Sequence, residues 1–535
     1  MSSKSVNLSA LVLEHAATRA DALALVVPTL ASDGESYSEE SISFSELAMR
    51  ISAAKRGLEA HGFKRGERII LMAPLSVDLY ALLLGIFASG MSAVFIDTGM
   101  GKAKVMQAIR DAKAQAIVSV SALLMYRWFL SPLRSLRHYS VDSSGFGVRR
   151  LSTLFDASED LSICQALNTE SDEHALITFT SGSTGRPKGA DRTQGLLLAQ
   201  HLALKEHFPT SEGEVDMPCF PVVTLHNLCS GVPTVLPALD FKRPASVNPT
   251  FIFEQIERWG VTRMSGAPAY IERLVAHLEG EGKRETRVRQ LGVGGAPTPI
   301  GLCERIAGVM PDTEAQVIYG STEAEPIASV DMAEIVRSKE QAQVLGHLVG
   351  RSAHAATIAL VNLPESLSTL DASGMDPYRV AEGEPGELVV SGPHVNRSYL
   401  DNPEANRENK LYGPGGEVWH RTGDVASVDS EGRLWLRGRS KDLVRHKGRA
   451  IHPLPIEAAL GALEGVRRAA LIQTAKHPEG IMVIEGEAES EALAALLSTF
   501  ELGAIARTEV ARIPMDYRHQ SKIDRLALRQ QVERA

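Results

Sequence analysis

The sequence is poor in cysteine. It holds four in 535 residues, Cys164, Cys219, Cys229 and Cys303, scattered and without a C-x-x-C pair. That spacing offers neither a zinc site nor a redox dithiol, and it fits a reducing cytoplasm. Excess basic charge is also missing. The formal net charge is −9, which argues against a general nucleic-acid binder, for which a basic surface is expected. Met1 to Ala22 lacks the n-region, h-region and cleavage site of a signal peptide and reads as an amphipathic helix from Leu8 onward. One nearly uncharged run, Leu79 to Ile96, lies between Asp78 and Asp97. Gly85, Ser89, Gly90 and Ser92 interrupt it, so it reads as a buried helix, a turn at Ser89-Gly90 and a buried strand Ala93 to Ile96. Its length alone would allow a membrane span, but no other segment supports one. There is no internal repeat and no low-complexity linker.

What is present is ordinary for a globular protein: 44% hydrophobic and 23% charged residues. The chain is too long for one core and should divide into two or more domains. From Arg68 to Val120 the pattern alternates: strand Ile69–Met72, helix Val77–Ala88, strand Ala93–Ile96, helix Lys104–Ala112, strand Ala116–Val120. Such alternation predicts a doubly wound α/β unit with largely parallel strands. A second run starts near Gln194 and passes through Met217–Pro221, a helix Phe251–Trp259, Gly260–Met264 and a strand with a glycine turn, Leu291–Pro297. From about 355 to 437 the chain is rich in β-branched residues and turns, which predicts a smaller, mostly antiparallel sheet or distorted barrel.

Ala175–Phe179 reads as a buried strand. It leads into Thr180-Ser181-Gly182-Ser183-Thr184-Gly185-Arg186-Pro187-Lys188-Gly189. The glycines permit close approach, while free N–H groups, hydroxyls and Lys188 give the loop a positive potential suited to phosphate oxygens. It is not a Walker A loop, because Pro187 precedes the lysine and Gly189 follows it. A solvated Gly/Ser turn has the same composition.

Ser-Gly-Ser-Thr-Gly-x-Pro-Lys-Gly resembles the signature of the adenylate-forming superfamily of acyl-CoA synthetases, peptide-synthetase adenylation domains and luciferases. Its other signatures stand in the right order from about Phe44 to Leu528. The resemblance implies a large N-terminal AMP-binding domain (1–440, with the barrel at about 355–437) and a small α+β lid (441–535) swinging about a hinge at Lys441. It implies ATP and Mg²⁺ as cofactors. Residues Thr180 to Gly185 and Lys188 would grip the outer phosphates. Gly295, Ala296 and Pro297, after Gly294, would wall the adenine. In Tyr319-Gly320-Ser321-Thr322-Glu323, Tyr319 would stack on adenine, Thr322 would contact the α-phosphate and Glu323 would hold the metal. Asp424, in Trp419-His420-Arg421-Thr422-Gly423-Asp424, would accept from the ribose hydroxyls, with Arg439 as a further ribose or phosphate contact. Lys522, in Gln520-Ser521-Lys522-Ile523-Asp524-Arg525, would be delivered to the reacting oxygens.

Four local stretches resemble the olefin-pathway β-lactone synthetases more than acyl-CoA ligases: Phe95 to Gly101, Asp240 to Val247, Tyr319 to Ala328 and Arg518 to Asp524. This implies a 3-hydroxy fatty acid whose adenylate closes to a β-lactone, with partner enzymes of a lipid pathway. An acyl-CoA ligase or a carrier-protein-loading ligase is the alternative, and only the ligase reading calls for CoA. His226 aligns with an acyl-pocket signature, where it would position substrate, act as a base or be structural. Two departures stand out. Ala190-Asp191-Arg192-Thr193 replaces the family's usual Ser-His or Thr-His, and Pro455 stands where CoA ligases usually carry Glu.

Overall fold

The computed structural model describes residues 7–156, 162–180, 185–285, 287–364, 367–516 and 522–534. Ser181, Gly182, Ser183 and Thr184 of the phosphate loop, and Gln520 and Ser521 of the last signature, lie outside the described residues.

Two large sheets carry the fold. The first has seven strands in the order Val148–Arg150, Arg137–Ser140, Ala116–Ser119, Arg68–Met72, Ser92–Ile96, His174–Thr180, Lys188–Thr193. All neighbours are parallel except the last pair. The helix Val77–Ala88 is the crossover between two of these strands. The Ser76 hydroxyl caps it by accepting from the Leu79 N–H. It packs against the helix Phe44–Ala60 and is buried almost throughout, which accounts for the apolar run from Leu79. Among the described residues no helix is long and apolar enough to cross a membrane.

The second sheet begins with Tyr37–Ser43 antiparallel to Leu23–Leu30. It continues in parallel through Thr234–Val235, Asp216–Pro218, Arg263–Gly266, Gln290–Gly294 and Glu314–Ser321. There its character changes. Glu314–Ser321 turns tightly into Ala324–Asp331, its antiparallel neighbour. The sheet then runs on through His347–Ser352, Leu434–Arg439, Val418–Val428, Gly386–Ser391 and Thr357–Val361, all antiparallel. Ala328, Val349, Leu434, Ala426 and Leu388, from five successive strands, share one apolar cluster. Each of these residues neighbours the next across the sheet, so one apolar face runs over all five strands. The antiparallel region expected at 355–437 is the continuation of the large sheet, whose antiparallel part begins as far back as Ala324.

A separate three-stranded sheet, Val466–Ile472, Ile481–Gly486 and Ala506–Val510, lies near the C-terminus and has its own apolar cluster on each face. The helix Pro453–Gly461 connects it to the rest by packing on the helix Lys339–Leu345 and the strand Leu434–Arg439.

The strands Ala324–Asp331 and His347–Ser352 approach closely. At Gly350, with φ of +85°, a Cβ would lie 1.9 Å from the Ser329 carbonyl oxygen. The register between His347–Ser352 and Leu434–Arg439 slips between Leu348 and Gly350. Gly350→Ala should therefore cost at least about 1–3 kcal/mol for the left-handed backbone alone, read as a lowered urea midpoint. An unchanged midpoint would show that the sheet tolerates a side chain there.

Candidate active site

The parallel strands of the second sheet end at one edge, at Pro218, Gly266, Gly294 and Ser321. Ligands of open α/β sheets bind outside such carboxyl ends. The connections leaving this edge carry Phe220 with His226 on the helix that follows, then Gly295, Ala296 and Pro297, then Thr322 and Glu323. The first sheet contributes Thr180 at the end of His174–Thr180, then Gly185 and Lys188 on the way into the return strand. Gly189 keeps that return strand close: a Cβ there would lie 2.9 Å from the Phe179 ring.

The segment Asn396–Leu400 joins the two edges. Its backbone pairs with the strand Lys188–Thr193 through Asp191 N–H to the Ser398 carbonyl and Leu400 N–H to the Gly189 carbonyl. The Asn396 N–H donates to the Glu323 carbonyl at 2.7 Å. Tyr399 then donates its hydroxyl to Glu323 Oε1 at 2.8 Å. Two ammonium groups lie over the Tyr399 ring, Lys188 Nζ at 5.7 Å and Lys410 Nζ at 5.3 Å from its centroid. Lys188 is buried and reaches Glu408 Oε2 at 3.4 Å. Lys410 is wholly buried and donates to the Asn396 carbonyl.

Electrostatics follow from this packing. Burial alone would raise the Glu323 carboxyl, but His420, Lys410 and the Tyr399 hydroxyl reverse that and hold it below its ordinary value. Burial pushes Lys410 down to about 7 and His420 down to about 3. Glu323 acts the other way on both, so the three groups set one another's charge.

A second carboxylate anchors the antiparallel side. Asp424 Oδ2 accepts from the Tyr319 hydroxyl at 2.6 Å, and Oδ1 pairs with Arg439 Nε at 3.0 Å. Arg439 also donates to the Thr422 carbonyl at 2.6 Å, and the Thr422 hydroxyl accepts from the Asp424 N–H at 3.0 Å. Tyr319, Asp424 and Arg439, spread over 120 residues of sequence, therefore meet, and Thr322 and Glu323 follow in the turn after Tyr319.

The Gly295–Pro297 loop, Lys188 and the two carboxylates thus stand at neighbouring ends of the two sheets, and comparison with known proteins names the arrangement. Residues 12–400 match the model of the AMP-binding enzyme family. The chain belongs to that family. An olefin β-lactone synthetase of Stenotrophomonas maltophilia (strain K279a) is 29% identical, covering 97% of this chain and 96% of that protein. A feruloyl-CoA synthase of Amycolatopsis sp is 28% identical, covering 81% and 80%. Among solved structures, the amide bond synthetase McbA of Marinactinospora thermotolerans superposes with a TM-score of 0.78 at 20% identity, covering 98% and 99% of the two chains. Like other AMP-binding enzymes, this chain is an adenylate-forming ligase: it activates a carboxylic acid with ATP, giving acyl-AMP and pyrophosphate.

Several residues of this AMP-binding enzyme's site had no individual reading in the sequence. Tyr399, Lys410 and Glu408 stand between signatures and carry no motif of their own. His420 lies inside a quoted signature, but only depth gives it meaning. Arg192 belongs to a stretch that departs from the family pattern. It is buried and donates to the Thr178 hydroxyl at 2.8 Å and to the Thr322 carbonyl at 3.0 Å, so one guanidinium ties the first sheet to the Thr322 turn. Glu325 faces it. Burial pushes the Glu325 carboxyl up to about 7, although Arg192 acts the other way.

His226 lies on the helix Pro221–Ser230 with its ring 4.9 Å from that of His201. Burial, then its neighbours His201 and Arg263, push it down to about 3, and burial pushes His201 to about 4. An imidazole this weakly basic is a poor proton acceptor at neutral pH. The geometry favours the positioning or packing role.

At the C-terminal end, Lys522 is exposed. Its N–H donates to Asp516 Oδ1 at 2.8 Å and its carbonyl accepts from the Asp516 N–H at 2.6 Å. Lys441 is exposed between two anchors: Arg439 on Asp424, and Asp442, which pairs with Arg525 at 3.4 Å and Arg529 at 3.1 Å. Pro455 is buried and packs on Gly346.

Ionising Glu325 is harder in the folded chain than in the unfolded one, so this group costs stability as pH rises from its ordinary value of 4.5 through about 7. Glu325→Gln carries no such cost. Relative to the wild type it should gain on the order of 2 kcal/mol between about pH 5 and about pH 8, read as the change in the difference between the two urea midpoints. A difference that is flat or moves the other way would contradict the assigned environment.

Proposed function

We propose that this enzyme adenylates a 3-hydroxy fatty acid and closes the adenylate to a β-lactone, releasing AMP. The observation that carries the reading is similarity to an olefin β-lactone synthetase along 97% of the chain, with the four local stretches distributed through it. The lid segment adds support: Pro455, where CoA ligases usually carry Glu, is spent on packing against Gly346.

In the first half-reaction a carboxylate oxygen of the acid attacks the α-phosphorus and pyrophosphate leaves. Negative charge builds on phosphate oxygens, so catalysis is chiefly positioning and electrostatic stabilisation. Lys188 and the loop before it hold the outer phosphates, Thr322 binds an α-phosphate oxygen, and Asp424 with Arg439 orients the ribose beside Tyr319. Lys522 is brought to the reacting oxygens when the lid turns about Lys441, the residue between the Arg439 and Asp442 anchors, so that 1–440 and 441–535 move as two domains. Loop positions of this kind absorb the dihedral change in hinged closure.

The donor set fits Mg²⁺. Glu323 is an ionised carboxylate with one oxygen held by Tyr399, and among the described residues no group of three His, Cys, Asp or Glu side chains forms a metal cage. Mg²⁺ is commonly held by one or two carboxylates plus substrate phosphates and water. Bound there, it would neutralise charge developing on the phosphate oxygens.

In the second half-reaction the 3-hydroxyl oxygen bonds to the acyl carbonyl carbon, the acyl–phosphate C–O bond breaks, AMP departs and the hydroxyl proton is released. A tethered hydroxyl held near the carbonyl has a large effective concentration, so water and external thiols compete poorly.

Incubation of the full-length enzyme with a 3-hydroxy fatty acid, ATP and Mg²⁺, without CoA, should yield AMP, pyrophosphate and a β-lactone, identified by mass spectrometry. The acid lacking the 3-hydroxyl should stop at the adenylate. Strict dependence on CoA with a thioester as product would replace this reading with an acyl-CoA ligase.

A further inference from the structure

The edge of the seven-stranded sheet farthest from Lys188 carries an unusual surface. The short helices Ser121–Leu124 and Met125–Trp128 and the turn before Val148–Arg150 expose Phe129 at 82%, Phe146 at 87%, Met125 at 69%, Tyr126 at 60% and Trp128 at 57%. Large apolar side chains this open, gathered in one place, mark an interaction site. They form two tips that are bound to each other. The Trp128 and Phe146 rings stack with centroids 6.5 Å apart. The Arg127 guanidinium lies 4.9 Å from the Trp128 ring centroid and donates to the Phe146 carbonyl. Arg134 grips the Trp128 carbonyl at 2.7 Å and 3.0 Å. The aromatic groups are therefore held out of the core by specific bonds, not left over from poor packing.

Charge identifies the occupant. Residues 121–150 contain five arginines, one aspartate, no glutamate and no lysine, in a chain with a net charge of −9. Arg134, Arg149 and Arg150 are exposed around the tips. A protruding Phe on each tip, Trp and Tyr beside them and a local excess of arginine is the chemistry of the lipid–water boundary. Aromatic rings settle at headgroup level, apolar side chains enter the acyl region, and arginines meet lipid phosphates. Exposure as high as that of Phe129 and Phe146 suits insertion between headgroups better than docking on a flat protein face.

We propose that residues 125–150 dock this enzyme on an anionic phospholipid surface, with Phe129 and Phe146 inserted and Arg134, Arg149 and Arg150 on the phosphates. The surface lies roughly 29 Å from the strand of Lys188, six strand spacings across the sheet. It therefore leaves the active site free, and the inference stands whatever acid the enzyme activates.

The test is co-sedimentation of the full-length enzyme with phosphatidylcholine vesicles and with vesicles containing phosphatidylglycerol. The enzyme should partition onto the anionic vesicles at low salt, less at high salt, and weakly onto phosphatidylcholine alone. Phe129→Ser with Phe146→Ser, and separately Arg149→Glu with Arg150→Glu, should each weaken binding at least about tenfold while leaving adenylation of a water-soluble acid unchanged. Trp128 fluorescence should shift to the blue on binding. Its signal is separable because Trp419 and Trp435 are buried and Trp259 is half-buried. Absence of wild-type binding to anionic vesicles, or equal binding by both double variants, would overturn the proposal. So would a wild-type oligomer in the ultracentrifuge that the Phe variant dissociates, since the patch would then belong to a second copy of the chain.

Discussion

A carboxylate must remain charged inside protein, and the site is arranged around that requirement. Glu323 lies where burial would neutralise it. The Tyr399 hydroxyl at 2.8 Å and the Lys410 ammonium oppose that tendency. Each partner imposes its own demand. Lys410 is wholly buried, and burial brings it down to about 7, so its charge depends on the acid it faces. Tyr399 can reach Glu323 only because Asn396–Leu400 is laid along the strand Lys188–Thr193 while Asn396 binds the Glu323 backbone. Removing one partner of such a cluster exposes the others to an uncompensated desolvation cost. Tyr399 therefore positions the carboxylate through one hydrogen bond and at the same time holds the two sheets in register.

The turn at Thr322-Glu323 has a topological role as well. It is where parallel pairing with Gln290–Gly294 gives way to antiparallel pairing with Ala324–Asp331. The Gly294–Pro297 loop arrives from the parallel half. Asp424 arrives from the antiparallel half, held to Tyr319 across the sheet. One continuous sheet thereby sets the spacing between the two, and Arg192 ties that turn to the strand that enters the phosphate loop. The C-terminal segment follows closely on the same carboxylate, since Arg439 is bonded to Asp424 only two residues before Lys441. In the proposed mechanism, lid rotation and ribose binding thus share a mechanical base.

Much of this was legible in the sequence, for local reasons. Short apolar runs alternating with helical segments predicted the strands between Arg68 and Val120, and Val77–Ala88 was readable as a helix because an apolar run broken by Ser89-Gly90 cannot continue. The family motifs singled out Asp424 and Arg439, which the fold pairs, and Glu323, which it buries beside Tyr399. The antiparallel region's continuity with the large sheet was not legible, because it depends on pairing between strands far apart in sequence. Tyr399 and Lys410 were not legible either. An isolated tyrosine and lysine look like surface residues until the fold buries them beside Glu323. His226 was visible as a residue, but its weak basicity follows from His201, Arg263 and burial, none of which a motif records. The departure at Ala190–Thr193 was visible too, yet only the structure shows that Arg192 uses it to bridge two sheets.

The central claim is that Glu323, held ionised and oriented by Tyr399, is the protein's own ligand for the metal that accompanies ATP. The most direct measurement is a Mg²⁺ titration of acid-dependent pyrophosphate exchange in the wild type, Glu323→Gln and Tyr399→Phe. The account predicts a lower maximal rate and a raised Mg²⁺ requirement for Glu323→Gln. It predicts a requirement raised about 10–100-fold for Tyr399→Phe, the usual cost of losing the partner that orients a metal ligand. Titrations of both variants that superimpose on the wild type would contradict it.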